Sequence, residues 1–447
     1  MKNINALLNI IQQKQKYFKM IQPAIKSKKI AYEKLITAMG ENRGRSLWMP
    51  YIGSGHGYKS YVQLLDGSVK LDWITGIGVH FFGHSHRGII KTAIQASLQD
   101  IIMQGNLQSN LEQHLFSECV LNYLKKRSVL RHIFISCTGS MANENAYKIV
   151  CQARFPASKL IAFKECFAGR TTLMASLTDN PKYREHIPYF NRFEYIPYYN
   201  SQDSQSTKKS LNTLRKIIQK NKNQIAAFIM EPLQGEGGFH TAPSSFFKIL
   251  IRECHKHKIL IWADEIQTFG RTLNLFASEG LGILKDIDIL TFGKMAQCAG
   301  VLYKKEINPK PGLLSQTFTA STVSLAVGRY IIHQLLQGKF YGLQGRFKEI
   351  QNSFQKYFQA LIQKHSEWIK DFTCIGTMVA FTVGDGSYDV TQKFLRKLFI
   401  NGLIAFYCGH GPYRVRFLLP GGVITNREIK DGLKILEATF LEFEGEL

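Results

Sequence analysis

No apolar run in the 447-residue chain reaches the ~20 residues a membrane-spanning helix needs. The N-terminal stretch MKNINALLNIIQQKQKYFK is interrupted by Asn5 and Asn9, and no small-residue cleavage site follows it. That is unlike a secretory leader. Cysteine is sparse and scattered: eight residues, without a CxxC pair and without His/Cys ligand spacing. Neither a disulfide framework nor a metal site is expected, and reduced thiols in the cytoplasm fit the pattern. Acid is also scarce, with 33 acidic against 57 basic residues and a net charge of +24. A dense basic patch would mark a nucleic-acid binder. Here the excess is spread along the chain, with a mild cluster from Lys14 to Arg45. Nucleic acid is therefore not expected as the main partner, and the field is suited to steering anionic small molecules. Repeats and low-complexity linkers are missing too.

What is present is an ordinary globular composition, 45% hydrophobic, on a chain long enough for two or more domains. Apolar residues at helical spacing (Leu7, Ile10, Ile11, Phe18, Ile21) predict one or two amphipathic helices in the first 45 residues. The segment 61–73 (YVQLLDGSVKLDW) predicts a hairpin turning at Asp66-Gly67. From about residue 130 the pattern becomes strand, loop, helix, repeated. RHIFIS (131–136), KLIAFKECF (159–167), IAAFIMEPL (225–233), KILIWADE (258–265) and IDILTFGK (287–294) read as strands. ANENAYKIVCQAR (142–154) and SFFKILIRECHKHK (245–258) read as helices. Such alternation predicts an α/β fold with a mostly parallel sheet covered by helices. After about residue 325, long helices mix with a few strands, among them TMVAFTV (377–383) and YRVRFLL (413–419). They predict a smaller α+β domain shared with the N-terminus. The expected divisions are 1–75, 76–325 and 326–447.

Four strand ends carry polar groups that apolar strands do not need, and ligands of α/β sheets sit at such ends. Cys137-Thr138-Gly139-Ser140 opens a helix and is either a plain cap or an anion cradle. In Glu165-Cys166-Phe167-Ala168-Gly169-Arg170-Thr171, Phe167 could stack on a planar ring and Arg170 could clamp a carboxylate. The alternatives are a core phenylalanine and a surface arginine. Asp264 follows ILIWA as a cap or as a functional acid; facing a pyridine nitrogen, it would keep that nitrogen protonated. Lys294 ends an apolar strand. It is either a snorkelling lysine or an amine whose pKa is depressed for covalent chemistry. Thirty residues, one strand-helix-strand unit, separate Asp264 from Lys294.

In order along the chain, IMEPLQGEGG, IWADEIQTFGRT and TFGKMAQ resemble the class III (ω-amino acid) aminotransferases of pyridoxal phosphate (PLP) fold type I. The resemblance runs from about residue 60 to the C-terminus. GKMAQCAG, ANENAYK and SLTDNP look most like lysine 6-aminotransferases, followed by the 4-aminobutyrate and ornithine/acetylornithine enzymes. The resemblance implies an aspartate-aminotransferase-like large domain, pyridoxal 5'-phosphate as cofactor, and a homodimer with active sites at its interface. It implies Lys294 as the Schiff-base lysine, Asp264 on the pyridinium nitrogen, Gln267 at the phenolic oxygen and Phe167 on the ring face. Gly139 and Ser140 would hold the phosphate, joined by Thr317 of the other subunit. Arg170 would bind a substrate carboxylate and Arg416 the α-carboxylate of 2-oxoglutarate. Glu236 would neutralise Arg416 while the amine donor is bound. The implied reaction passes a terminal amine from lysine or a similar diamino or ω-amino acid to 2-oxoglutarate, giving a semialdehyde and glutamate.

The chain departs from the family pattern at three places. The Ser-Gly-Thr phosphate loop reads Thr138-Gly139-Ser140, keeping the glycine and a hydroxyl. Ala168 stands where a histidine usually follows the stacking aromatic. Thr-Phe-Gly-Gly-Asn-Pro reads Thr317-Phe318-Thr319-Ala320-Ser321-Thr322, keeping the threonine and losing two glycines.

Overall fold

The computed structural model describes residues 2–100 and 103–444. The chain forms two compact units, residues 95–345 and residues 1–94 with 346–447. The helix Thr322–Gln337 belongs to the first unit because it packs against Leu111–Leu124 there.

The first unit is built on a seven-stranded sheet. In chain order its strands are β1 (Leu130–Ser136), β2 (Lys159–Phe163), β3 (Phe193–Ile196) and β4 (Ile225–Met230). Then come β5 (Leu260–Glu265), β6 (Ile289–Phe292) and β7 (Ala299–Lys304). Their spatial order is β1-β7-β6-β5-β4-β2-β3. Only β7 runs antiparallel to its neighbours, β6 and β1; every other pairing is parallel. The all-apolar runs explain the architecture. All six residues of β4 and all four of β6 are buried, so helices must cover both faces. The helix Ser244–Lys256 does part of this, burying Phe246, Phe247, Leu250, Ile251 and Cys254 along one stripe. Phe163, Phe228, Phe246 and Phe247 meet ring to ring, with centroids 5.1–6.3 Å apart.

Three of the five predicted sheet strands end early, and IAAFIMEPL stops at Met230, just ahead of Glu231. KLIAFKECF stops at Phe163, because Glu165 turns into the left-handed region (φ 61°) and its N–H goes to Asp179 Oδ2 at 2.9 Å. IDILTFGK stops at Phe292, ahead of the turn that carries Lys294. All three truncations place the polar residues beyond the strand ends.

In the second unit the predicted hairpin pairs Tyr61–Leu64 with Val69–Asp72 around Asp66-Gly67. Gly67 sits at φ +84°, a conformation that favours glycine. Met378–Val383 pairs with Arg414–Leu418 in a second four-stranded sheet. Helices Arg346–Lys364, Tyr388–Ile400 and Asn426–Glu444 are long and amphipathic, as expected for an α+β unit. Among the described residues, no helix is long and apolar enough to cross a membrane.

Candidate active site

A cavity of about 200 Å³ opens at the carboxyl ends of β1, β2, β4, β5 and β6. Its lining brings together Gly139 and Ser140 after β1, Phe167 after β2, Glu231 and Glu236 after β4, Asp264 and Gln267 at and after β5, and Lys294 after β6. Asp264 and Lys294 are close because β5 and β6 are parallel neighbours, with Asp264 opposite Thr291.

The two acids that end β5 have different jobs. Glu265 accepts hydrogen bonds from Thr268 Oγ1, Ala277 N and Ser278 N at 2.7–2.8 Å, which fixes the following loop. Asp264 faces the cavity. Its Oδ1 accepts from Ile266 N at 3.0 Å and its Oδ2 from Asn143 Nδ2 at 2.8 Å. Burial pushes its carboxyl up to about 6, although these hydrogen bonds and the Lys294 ammonium pull the other way. Glu231 is more strongly perturbed: burial, then the charge of Asp264, push it up to about 8. Its two oxygens accept from Phe167 N (3.0 Å) and Gly235 N (2.9 Å), so one carboxyl ties the Phe167 loop to the Gly235-Glu236 loop.

Lys294 is half-buried, and its Nζ donates to Gln267 Oε1. Its backbone lies in the left-handed region at φ 49°. That costs a residue with a Cβ about 1–2 kcal/mol, the kind of local strain found at functional sites. The floor after β1 is tight. A Cβ on Gly139 would come within 2.9 Å of Ile266 Cδ1. Gly169 sits at φ +136°, and a Cβ there would lie 2.3 Å from Ser140 Oγ.

Three expected site residues do not line this cavity. Arg170 is exposed and lays its guanidinium 3.3 Å over the Tyr183 ring, with Phe167 edge-on to the same ring at 6.2 Å. Thr317 is exposed on the segment before Ala320–Ser321. Arg416 is buried in the other unit, its guanidinium 5.4 Å over Phe406. Two polar side chains of the lining received no role from the sequence, Asn143 and Glu231. The signal for Glu231 was the same as for Asp264, an acid at the end of an apolar strand. Asn143 gave only a weak one, a polar side chain one turn into a helix.

Residues 50–440 match the family described as aminotransferase class-III. The chain belongs to that family. This class-III aminotransferase is a pyridoxal phosphate enzyme. Its relatives include an acetylornithine aminotransferase of Caldanaerobacter subterraneus subsp. tengcongensis, 28% identical over 84% of this chain and 91% of the relative. Another is the 5-aminovalerate aminotransferase of Pseudomonas aeruginosa, 30% identical over 86% of this chain and 92% of the relative. Among solved structures, a lysine aminotransferase from M. tuberculosis superposes with a TM-score of 0.81 at 22% identity, over 91% of this chain and 99% of that one. The ornithine aminotransferase from Toxoplasma gondii ME49 gives 0.80 at 23% identity, over 93% and 96%. At these identities the structures share the fold of the aminotransferase.

The cavity fits the cofactor on its own evidence. Two buried polar atoms among its lining side chains, Gln267 Nε2 and Asn143 Oδ1, have no hydrogen-bond partner. Such atoms cost about 1–3 kcal/mol each when left unsatisfied. A polar, heteroatom-bearing ring in the cavity is the kind of partner they require.

Proposed function

We propose that this aminotransferase takes the terminal amine of lysine, or of a similar diamino or ω-amino acid, and delivers it to 2-oxoglutarate. A semialdehyde and glutamate are the products, and the enzyme works in the cytoplasm as a homodimer. The observation that carries the reaction type is one cavity lined by an amine, a buried acid, an amide and a glycine-opened helix start. The substrate class is supported by the relatives and structural neighbours named for acetylornithine, 5-aminovalerate, lysine and ornithine.

When bound, pyridoxal phosphate supplies the electron sink that makes the donor's C–H bond acidic. The protein's part is to bind, orient and move protons. Asp264 holds the proton on the ring nitrogen: a carboxyl raised by burial returns to its charged form when a cation is set against it. Gln267 offers its unsatisfied Nε2–H to the phenolic oxygen. Phe167 covers the ring face. Gly139 and Ser140, at the start of the helix Gly139–Ala153, offer backbone N–H and hydroxyl to the phosphate. Lys294 would hold the cofactor through its amine, and as a free, neutral amine it would accept the proton from the donor carbon. Arg170 and Arg416 recognise carboxylates, Glu236 balances charge between the two substrates, and Thr317 serves the partner subunit's phosphate.

A second reading, acetylornithine as donor, is favoured by the sequence relatives. Ornithine and 4-aminobutyrate are further alternatives. An aminomutase or decarboxylase would need no second substrate and no reason to keep both Glu236 and Arg416. The test is a screen of lysine, ornithine, acetylornithine and 4-aminobutyrate with 2-oxoglutarate, reading glutamate. Lysine should give the highest kcat/KM. Acetylornithine ahead of lysine selects the second reading, and no glutamate from any donor removes the substrate proposal.

A further inference from the structure

A cavity of about 610 Å³ lies within the unit formed by residues 1–94 and 346–447. None of the aminotransferase chemistry uses it. We infer that it binds a nucleoside polyphosphate, with the phosphates on Lys16, Lys19, Lys59 and Arg427 and the base on Tyr17.

The charge of the lining is lopsided. Lys16, Lys19, Lys59 and Arg427 face one lining carboxylate, Glu428, and Arg427 also lies 3.7 Å from Asp431 Oδ2 outside the lining. Glu428 is already engaged, since its Oε2 accepts from Thr425 N at 2.7 Å and Thr425 Oγ1 at 2.8 Å at the start of helix Asn426–Glu444. Glu428 keeps its charge in these bonds, so the four cations less this one carboxylate leave the lining at about +3. Two of the ammonium groups flank one ring: Lys19 Nζ lies 5.6 Å and Lys59 Nζ 5.3 Å from the centre of Tyr58. Holding like charges together on one aromatic favours a ligand of several negative charges over a single carboxylate.

The lysines are mounted on structure rather than on a loose tail. Phe18, between Lys16 and Lys19, is buried and stacked on His56 at 6.3 Å. Just beyond, Gln22 and Val69 exchange both backbone hydrogen bonds at 3.0 Å, which pins this segment to the hairpin. Lys59 is held in the left-handed region (φ 55°) at the turn after Gly53–Tyr58, where its carbonyl accepts from His84 N at 2.8 Å. The rim supplies flat apolar surface: Tyr17 is 73% and Met20 64% exposed. An exposed tyrosine beside lysines suits a stacked base. Lysine ammonium groups are point-charge phosphate binders. The volume lies inside the roughly 300–1,000 Å³ range of small-molecule sites.

The experiment is calorimetric titration of the cofactor-loaded enzyme with ATP, with inorganic tripolyphosphate and with adenosine. The expected result is saturable ATP binding at one per chain, several-fold weaker tripolyphosphate binding, and no adenosine binding. Lys19→Glu/Lys59→Glu should weaken ATP by about tenfold or more, the equivalent of about 1.4 kcal/mol. Transamination should stay within about twofold, because neither lysine lines the cavity that holds Lys294. Should the double variant fold poorly, Lys59→Gln alone is expected to weaken ATP about threefold. No saturable ATP binding would overturn the inference, as would equal affinity in the charge-reversed protein. Tripolyphosphate binding as tightly as ATP would overturn the role of Tyr17.

Discussion

Replacing Asp264 by asparagine should act in opposite directions on the empty and the loaded enzyme. Burial raises this carboxyl from 3.8 to about 6, a difference of about 2 units, or about 3 kcal/mol of destabilisation once it ionises. The sign follows from proton binding. The unfolded chain gives up the proton near 3.8 and the folded one only near 6, so this group's share of stability is lost as pH rises between those values. Above pH 6 the full penalty applies. An asparagine carries no charge and escapes it. It must, however, turn its amide N–H₂ toward either Ile266 N or Asn143 Nδ2, both of which now donate to the acid. Asn143 can flip and present its unsatisfied Oδ1, at the expense of its 2.7 Å bond to Ala168 O. Losing that bond costs about 1 kcal/mol. The apoenzyme carrying Asp264→Asn should therefore be about 2 kcal/mol more stable than the parent at pH 8, with the advantage fading toward pH 4. The loaded enzyme should lose a charge-assisted hydrogen bond of about 1.5–3 kcal/mol, weakening cofactor binding about tenfold to a hundredfold. Urea unfolding of both apoproteins at pH 4.5, 6 and 8, with cofactor titrations, measures each quantity. An apoprotein no more stable at pH 8, together with unchanged cofactor affinity, would refute the reasoning.

Lys294→Ala should abolish transamination while leaving the cofactor bound without a covalent link, so borohydride no longer attaches it to the chain; mass spectrometry reads this directly. Glu231→Gln should remove a proton-binding step near pH 8 from the titration of the empty enzyme, because the group pushed up to about 8 is gone. It should also cost about 1–3 kcal/mol, since an amide cannot accept from both Phe167 N and Gly235 N. Gly169→Ala forces a Cβ to 2.3 Å from Ser140 Oγ at φ +136° and should cost about 2 kcal/mol or more in urea unfolding. Its cofactor affinity should fall with it, because Ser140 lines the cavity.

The sheet was legible because its strands are continuous apolar runs, which only a doubly covered parallel sheet demands. The site was legible where a polar residue ends such a run, as at Asp264 and Lys294. Glu231 carried the same signal; its special part, bridging two loops, depends on backbone N–H groups 64 residues before it and 4 after it, which spacing does not encode. Arg170 likewise stacks on Tyr183, brought in by the short helical turn Pro181–Tyr183. The N-terminal helices, Lys2–Gln15 and Lys26–Asn42, were expected from apolar spacing. The cavity beside them was not, because it joins residues 16–61 to residues 425–428 from the far end of the chain.

The backbone of Lys294 sets activity against robustness. At φ 49° glycine is the residue that rests there without strain. With Lys294 as the Schiff-base lysine proposed above, a lineage selected only for resistance to heat would drift toward losing that amine, and its most durable descendants would be inert.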